Sequence, residues 1–147
     1  MAQYLENKGL YSSIIRFTDL ETILNYCEEN QILAIILIQS VGNSLLGHYV
    51  IFIQYTKDKG LIKIIDPADR SREWINFNEL KNSFIKVSPN AEIEGNILIL
   101  PSETLILKQE YICTNCGKKN NVDIVILYAI QHIFCNNCDV GFTVQKD

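Results

Sequence analysis

Apolar residues recur at two different spacings along the first hundred residues, and each spacing predicts its own kind of element. Thr18 or Asp19 can cap a helix, and Glu21 stands in the first turn, where the helix dipole favours an acid. The apolar residues behind this cap repeat at the i, i+3, i+4, i+7 spacing of one helix face. They are Leu20, Ile23, Leu24 and Cys27. The pattern predicts a helix over 19–30, with Cys27 as a small buried hydrophobe on its inner face.

Continuous apolar runs predict the strands. The run 32–38 is apolar at every position, which is typical of a central strand covered on both faces. Further strands are expected at 11–17, 48–55, 61–65 and 97–100, and after Ser102 at 105–112, 122–133 (one or two strands) and 141–144. Short helices are expected at 2–10 and 78–84, with a polar loop at 40–47, a hairpin turn at 56–60 and a loop at 89–95. Together these elements predict an α+β fold, an antiparallel sheet with a few helices.

Four cysteines organise the last third of the chain. They form two Cys-x2-Cys pairs separated by eighteen residues, within the spacing expected of a structural zinc site. The ligands proposed for the metal are Cys113, Cys116, Cys135 and Cys138. Four thiolates satisfy tetrahedral Zn²⁺ and leave no open position, which predicts a structural site, not a catalytic one.

Three other uses of these cysteines are open: two disulfides, a redox Cys-x2-Cys, or an iron–sulfur centre. A redox pair is disfavoured because neither pair begins a helix in a βαβ setting. The first residues have no signal-peptide shape, and no apolar run approaches the roughly 20 residues that a membrane span needs. We therefore expect a reducing intracellular compartment (cytosol, nucleus or organelle matrix), where thiolate ligands are favoured over disulfides. His132 lies three residues before Cys135 and is interpreted as a bystander.

The segment from about Gln109 to Val144 resembles a zinc ribbon, in which a cysteine knuckle, a hairpin, a second knuckle and a strand follow one another. Gly117 after the first pair, and Asn136 and Asn137 within the second, are residue types that tolerate the left-handed backbone of such turns. The resemblance implies two units, an α+β domain at 1–102 and a small C-terminal zinc ribbon at 103–147.

Composition predicts a packed core, and net charge disfavours nucleic acid as a partner. The chain has 147 residues, 48% of them hydrophobic and 20% charged, with a net charge of −4. A packed core is therefore expected, and neither part of the chain carries the basic excess typical of non-specific nucleic-acid binding. Contact with protein partners or self-association is favoured.

Two short motifs in the first hundred residues resemble a known family. They are Gly47-His48-Tyr-Val-Ile-Phe-Ile and Ile64-Ile65-Asp66-Pro67-Ala68. Both are similar to the C-terminal half of papain-like cysteine peptidases of the bacteriocin-processing type, and of the related guanylyl cyclase domain-containing family. The resemblance spans roughly residues 8–101. It implies a papain-like half-domain in which a hairpin brings Asp66 beside His48, so that the carboxylate orients the imidazole.

The nucleophile of that family has no counterpart here, because the chain begins too late to contain the helix that carries it. Cys27 lies in a different element, and Ser40 and Ser44 precede His48 without a family precedent. His48 and Asp66 are therefore remnant candidates, with a hydrogen-bonded strand residue and a turn residue as their ordinary structural roles.

Three functions remain open on this basis. The first is a non-catalytic zinc-binding interaction or assembly protein built on a degenerate papain-like half-domain. The second is a cysteine-peptidase-like hydrolase that uses His48 and Asp66 with a nucleophile from elsewhere. The third is a nucleic-acid-associated zinc-ribbon protein.

Overall fold

A large antiparallel sheet dominates the computed structural model, which describes residues 2–40, 43–84, 96–102 and 108–144. The described helices are α1 (Ala2–Asn7), α2 (Leu20–Glu29) and α3 (Phe77–Asn82). The described strands are β1 (Tyr11–Phe17), β2 (Ile35–Ser40), β3 (Asn43–Thr56), β4 (Leu61–Ile65), β5 (Trp74–Asn76), β6 (Ile97–Ser102), β7 (Lys108–Ile112), β8 (Lys119–Asp123), β9 (Ile130–Phe134) and β10 (Gly141–Thr143). The predicted α+β fold class is confirmed.

Eight of these strands form one sheet in the order β10-β9-β1-β6-β2-β3-β4-β5, and every neighbouring pair is antiparallel. The strands β7 and β8 form a separate two-stranded sheet. The strand β9 pairs with β1, with Ile15 opposite Ile133, so the segment between the cysteine pairs contributes to the same sheet as the N-terminal strand. A division into units at 1–102 and 103–147 stays a prediction, and the described hydrogen bonds cross that boundary.

The helix α2 forms as its sequence pattern predicts. Asp19 is the N-cap, with its carboxylate accepting from the backbone N–H of Thr22 over 3.3 Å. The four residues at helical spacing are all buried against the sheet, and Cys27 is 1% exposed. A buried thiol of this kind contributes to the core as a small hydrophobe.

The second strand begins later than its apolar run suggests. Gln31 has a left-handed backbone (φ 54°), and residues 32–34 connect it to β2, which starts at Ile35. Both faces of β2 are nevertheless buried, since Ile36 and Leu37 point to opposite sides and are 0% and 2% exposed.

Polar residues after β2 were expected to form loops, but several of them lie in strands. The stretch expected as a loop at 40–47 belongs largely to β3, which begins at Asn43, while 41–42 lie outside the described residues. Residues just before the helix expected at 78–84 form the edge strand β5. The helix α3 starts at Phe77 because the Asn76 side chain accepts from the N–H of Glu79 over 2.7 Å. The expected loop at 89–95 and the start of the expected strand at 105–112 also fall outside the described residues.

The apolar stretch 122–133 contains a helical turn, contrary to the expectation of strands alone. A 3₁₀ helix, Ile124–Ala129, separates β8 from β9. Asp123 starts it by accepting from the N–H of Val125 over 2.9 Å, and its second oxygen accepts from the Tyr26 hydroxyl over 2.7 Å. Because three residues make one turn of this helix, Val125 and Tyr128 share an exposed side.

Candidate metal centre

The four cysteine side chains of the two pairs meet at one point. Their sulfur atoms all lie within 4.8 Å of one another, an arrangement that could hold a metal ion. Two of the separations join the two pairs: Cys113 to Cys138 at 3.6 Å and Cys116 to Cys135 at 3.5 Å. Among the described residues, these four sulfurs are the one cluster of side-chain atoms that could hold a metal ion.

The two pairs sit in turns with the same backbone pattern, here called the first knuckle (113–118) and the second knuckle (135–140). In the first, the N–H of Cys113 donates to the carbonyl oxygen of Lys118 over 2.9 Å. In the second, the N–H of Cys135 donates to the carbonyl oxygen of Val140 over 2.9 Å. The shared pattern folds each pair of cysteines into a tight turn of its own.

Each knuckle needs a left-handed residue directly after its second cysteine. Gly117 takes that position in the first knuckle with φ 73°, as expected for glycine. In the second knuckle Asp139 takes it with φ 57°, and not Asn136 or Asn137. Aspartate is tolerated there because its short polar side chain lowers the cost of the left-handed region.

Burial and hydrogen bonds to sulfur shift the pKa values of three of these thiols, and not all in the same direction. Burial acts to raise the pKa of Cys135, but the backbone N–H groups of Asn137 and Cys138 and the neighbouring thiol of Cys116 lower it to about 6. The side chain of Asn115 is the main cause of the lowered pKa of Cys138. The backbone N–H of Cys116 acts to lower the pKa of Cys113, but burial and the neighbouring thiols of Cys138 and Cys116 raise it to about 11. Cysteine binds metals as the thiolate, so binding would release a proton from Cys113.

A buried pair of asparagines fixes the second knuckle to the rest of the fold. The side-chain oxygen of Asn120 accepts from the backbone N–H of Asn136 over 2.9 Å. The Asn136 side-chain amide donates to the carbonyl oxygen of Ser12 in β1 over 2.9 Å and to the Glu6 carboxylate in α1 over 2.7 Å. Cysteine spacing gave no signal for these contacts, because an asparagine within a knuckle is equally typical of a solvated turn.

His132 lies on β9 opposite Arg16 of β1. Burial and the neighbouring Arg16 charge lower the pKa of His132, so that the imidazole is held neutral at physiological pH. It does not belong to the group of four sulfurs.

A second polar site lies on the other part of the sheet, where β3 and β4 pair. The His48 Nε2 atom is 2.9 Å from Asp66 Oδ1, so the structure brings these two candidates together. Asp66 also accepts from the backbone N–H groups of Ala68 and Asp69, over 2.9 and 3.2 Å. Burial acts to raise the pKa of Asp66, but the hydrogen bonds from His48 and from these amides outweigh it and hold the pKa below its usual value.

Arg72 closes this site on one side. Its Nη1 atom is 3.9 Å from Asp66 Oδ2, and its Nη2 atom is 2.6 Å from the Glu79 carboxylate. A cavity of about 280 Å³ opens beside the pair and is lined by Lys63, Ile64, Ile65, Asp66, Arg70, Arg72 and Glu73.

The structure does not bring Cys27 to this site. Glu28, the next residue of α2, accepts from the backbone N–H of Tyr55, which is seven residues along β3 from His48. Seven residues of strand span roughly 23 Å. Burial raises the pKa of the Cys27 thiol to about 12, which keeps it protonated. The side chains of Ser40 and Ser44 lie outside the described part of the chain.

Comparisons with protein-family models, curated proteins and solved structures found no match to the chain. Among the described residues, no helix is both long enough and apolar enough to cross a membrane.

Proposed function

We propose that this protein is a non-catalytic interaction or assembly protein whose C-terminal cysteines bind one structural Zn²⁺ ion. In this proposal, 1–102 form a degenerate papain-like half-domain and 103–147 a zinc ribbon. The observation that carries it is the convergence of four sulfur atoms within 4.8 Å. A reducing intracellular compartment would keep these thiols available for the metal.

Zinc is the metal that this set of donors suits best. Four thiolates match its tetrahedral preference, and a complete set of protein ligands leaves no position for a water molecule or a substrate. Free thiols are among the softest protein ligands, which disfavours the oxygen-seeking cations Mg²⁺ and Ca²⁺.

The placement of the cysteines supports a non-catalytic role, because four of the five form the sulfur cluster. Cys27 is the remaining thiol, and it is buried in the core with a raised pKa. A protonated thiol enclosed by apolar side chains is inert, since the thiolate is the reactive form.

Protein is a better partner than nucleic acid for this surface. Two lysines at the end of the first knuckle and the start of β8 are paired with acids: Lys118 with Glu6 at 3.0 Å and Lys119 with Glu110 at 3.2 Å. Near the His48–Asp66 pair, Ile65 and Trp74 are 53% and 44% exposed. Aromatic residues such as Trp74 are enriched at protein interfaces, whereas phosphate contacts call for unpaired cations.

The geometry of His48 and Asp66 favours a second candidate, a hydrolase whose nucleophile comes from elsewhere. Their 2.9 Å contact is the arrangement in which a carboxylate orients an imidazole for proton transfer. In such an enzyme His48 would act as the general base and Asp66 would fix its orientation.

One pair of measurements separates the two candidates. A thiol-directed peptidase probe is applied to the wild type and to His48→Ala, and proteins that co-purify with each are identified. The interaction proposal predicts no His48-dependent probe adduct on the chain or on a co-purifying protein, and the same co-purifying protein for both variants. An adduct that forms only when His48 is present would contradict it and support the hydrolase.

A further inference from the structure

The N-terminal helix α1 is too short to be stable alone. It has six residues, whereas isolated helices need about 12–15 residues to be even marginally stable in water. It has no acid in its first turn and no base in its last. Its position must therefore come from tertiary contacts.

Those contacts include β1 and also reach both cysteine knuckles. One Glu6 oxygen accepts from the Asn136 side chain of the second knuckle over 2.7 Å, and the other is 3.0 Å from Lys118 Nζ of the first. Gln3 donates to the Asn137 side chain over 3.1 Å. A single carboxylate thus bridges two turns that are 16 or more residues apart in sequence.

The bridge depends on the spacing between the knuckles. Both Glu6 contacts can exist only while Lys118 and Asn136 lie at their present separation. A shared metal ion would set that separation by holding one pair of sulfurs from each knuckle. Without it, four thiols supply no comparable attraction, and among the described contacts the two knuckles are held by their backbone hydrogen bonds, by Asn120 and by the bond from Asn136 to Ser12.

We infer that α1 is a metal-dependent element that is docked when the cysteine site is filled and released when it is empty. The inference rests on the proposed zinc site. Release would turn residues 2–9 into a mobile arm pivoting at Gly9, whose left-handed backbone (φ 81°) already ends the helix. It would also uncover polar groups of Ser12 and Asn136 that α1 now covers. Metal loading would thereby control which surface this end of the protein offers to a partner.

Hydrogen exchange on the full chain tests the inference, in reducing buffer with zinc bound and after removal of zinc by a chelator. We expect the amides of 2–9 to exchange at least about tenfold faster without zinc, while those of β4 stay protected. If the amides of 2–9 exchange at the same rate with and without zinc, the inference about α1 is wrong, although the proposed zinc binding still holds. Loss of protection in β4 as well would also overturn it, because α1 would then only follow global unfolding. Failure to bind zinc at all would refute the proposed function first.

A substitution isolates the bridge from the metal. Glu6→Ala should keep one zinc ion per chain and yet show the fast exchange of 2–9 seen in the metal-free protein. Glu29→Ala, at the exposed end of α2, is the matched control and should leave α1 protected. If Glu6→Ala does not fold, Lys118→Ala removes one arm of the bridge and should give an intermediate rate. Full protection of α1 in the zinc-loaded bridge variants would contradict the inference.

Discussion

Asn136, between the two cysteines of the second knuckle, donates its side-chain amide to the backbone carbonyl oxygen of Ser12 over 2.9 Å. This bond ties the candidate metal site to β1, a strand that lies between β9 and β6 in the main sheet. The cysteine site is thus connected to the N-terminal part of the chain through the backbone of one strand.

Replacing Asn136 should therefore weaken the whole fold. Asn136→Ala removes the hydrogen bonds from this side chain to the Ser12 carbonyl oxygen and to the Glu6 carboxylate, and the loss of a buried hydrogen-bond partner costs about 1–3 kcal/mol. The free energy of unfolding from urea titration measures the loss. Asn137→Ala is the matched control, since Asn137 is exposed and its side chain bonds Gln3, while its backbone N–H, which bonds the Cys135 sulfur, is kept in the variant. If the two variants lose the same free energy of unfolding, the buried hydrogen bonds of Asn136 stabilise the fold no more than the exposed side chain of Asn137 does.

Substitutions at the left-handed positions of the two knuckles should change stability by different amounts. Gly117→Ala forces a β-carbon into the left-handed region and should lower stability by roughly 1–2 kcal/mol. Asp139→Gly removes a side chain from the equivalent position, so strain relief should offset the entropy cost and leave stability nearly unchanged. Thermal unfolding of the zinc-loaded variants compares them. If both variants lose a similar amount of stability, the left-handed backbone does not have the same role at Gly117 and at Asp139.

Cys27 should be unreactive in the native protein. Burial raises its pKa to about 12, so almost no thiolate is present at neutral pH. Alkylation with iodoacetamide, followed by peptide mass mapping of the zinc-loaded protein, should leave Cys27 unmodified until denaturant is added. His48→Ala should give the same result. Rapid native modification of Cys27 that disappears in His48→Ala would revive the hydrolase.

The His48–Asp66 pair predicts a specific pH dependence of stability. The pKa of Asp66 lies below its usual 3.8 in the folded state, so its stabilisation is fully present above that value and is lost as pH falls through the lower folded-state pKa. Asp66→Asn cannot titrate and should cost about 1–3 kcal/mol at pH 7. The difference in unfolding free energy between the two proteins should shrink below about pH 4.

Parallel urea titrations from pH 7 to pH 2.5 measure that difference. Asp58→Asn, in the exposed turn before β4, serves as a control for the loss of one surface charge. A stability gap between wild type and Asp66→Asn that widens toward acid would contradict the assignment of Asp66 as an ionised hydrogen-bond acceptor.

Local patterns in the sequence predicted the parts of the structure that local chemistry decides. The helix α2 follows from its cap and its apolar spacing, and the convergence of the cysteines follows from their pairing. The closeness of His48 and Asp66 was expected from a resemblance, and it depends on a single hairpin between β3 and β4.

Local sequence patterns did not predict which strands and side chains that are distant in the chain contact one another. Nothing in the residues of β9 indicates that Ile133 will lie opposite Ile15, because many apolar strands could fill that edge equally well. The Asp123 cap turned an apolar, β-branched stretch into a 3₁₀ helix, and its second bond, to Tyr26, exists only in the folded chain. The role of Glu6 likewise arises only once two distant knuckles are side by side.

The most direct test of the account is X-ray absorption at the zinc edge, together with metal analysis, on protein purified in reducing buffer without chelators. The account predicts one zinc ion per chain with four sulfur neighbours at about 2.3 Å. It also predicts that Cys135→Ser loses the ion or replaces one sulfur with a lighter atom. A wild-type chain without bound metal, or with nitrogen or oxygen in its metal coordination shell, would contradict the central claim that Cys113, Cys116, Cys135 and Cys138 form a closed structural zinc site.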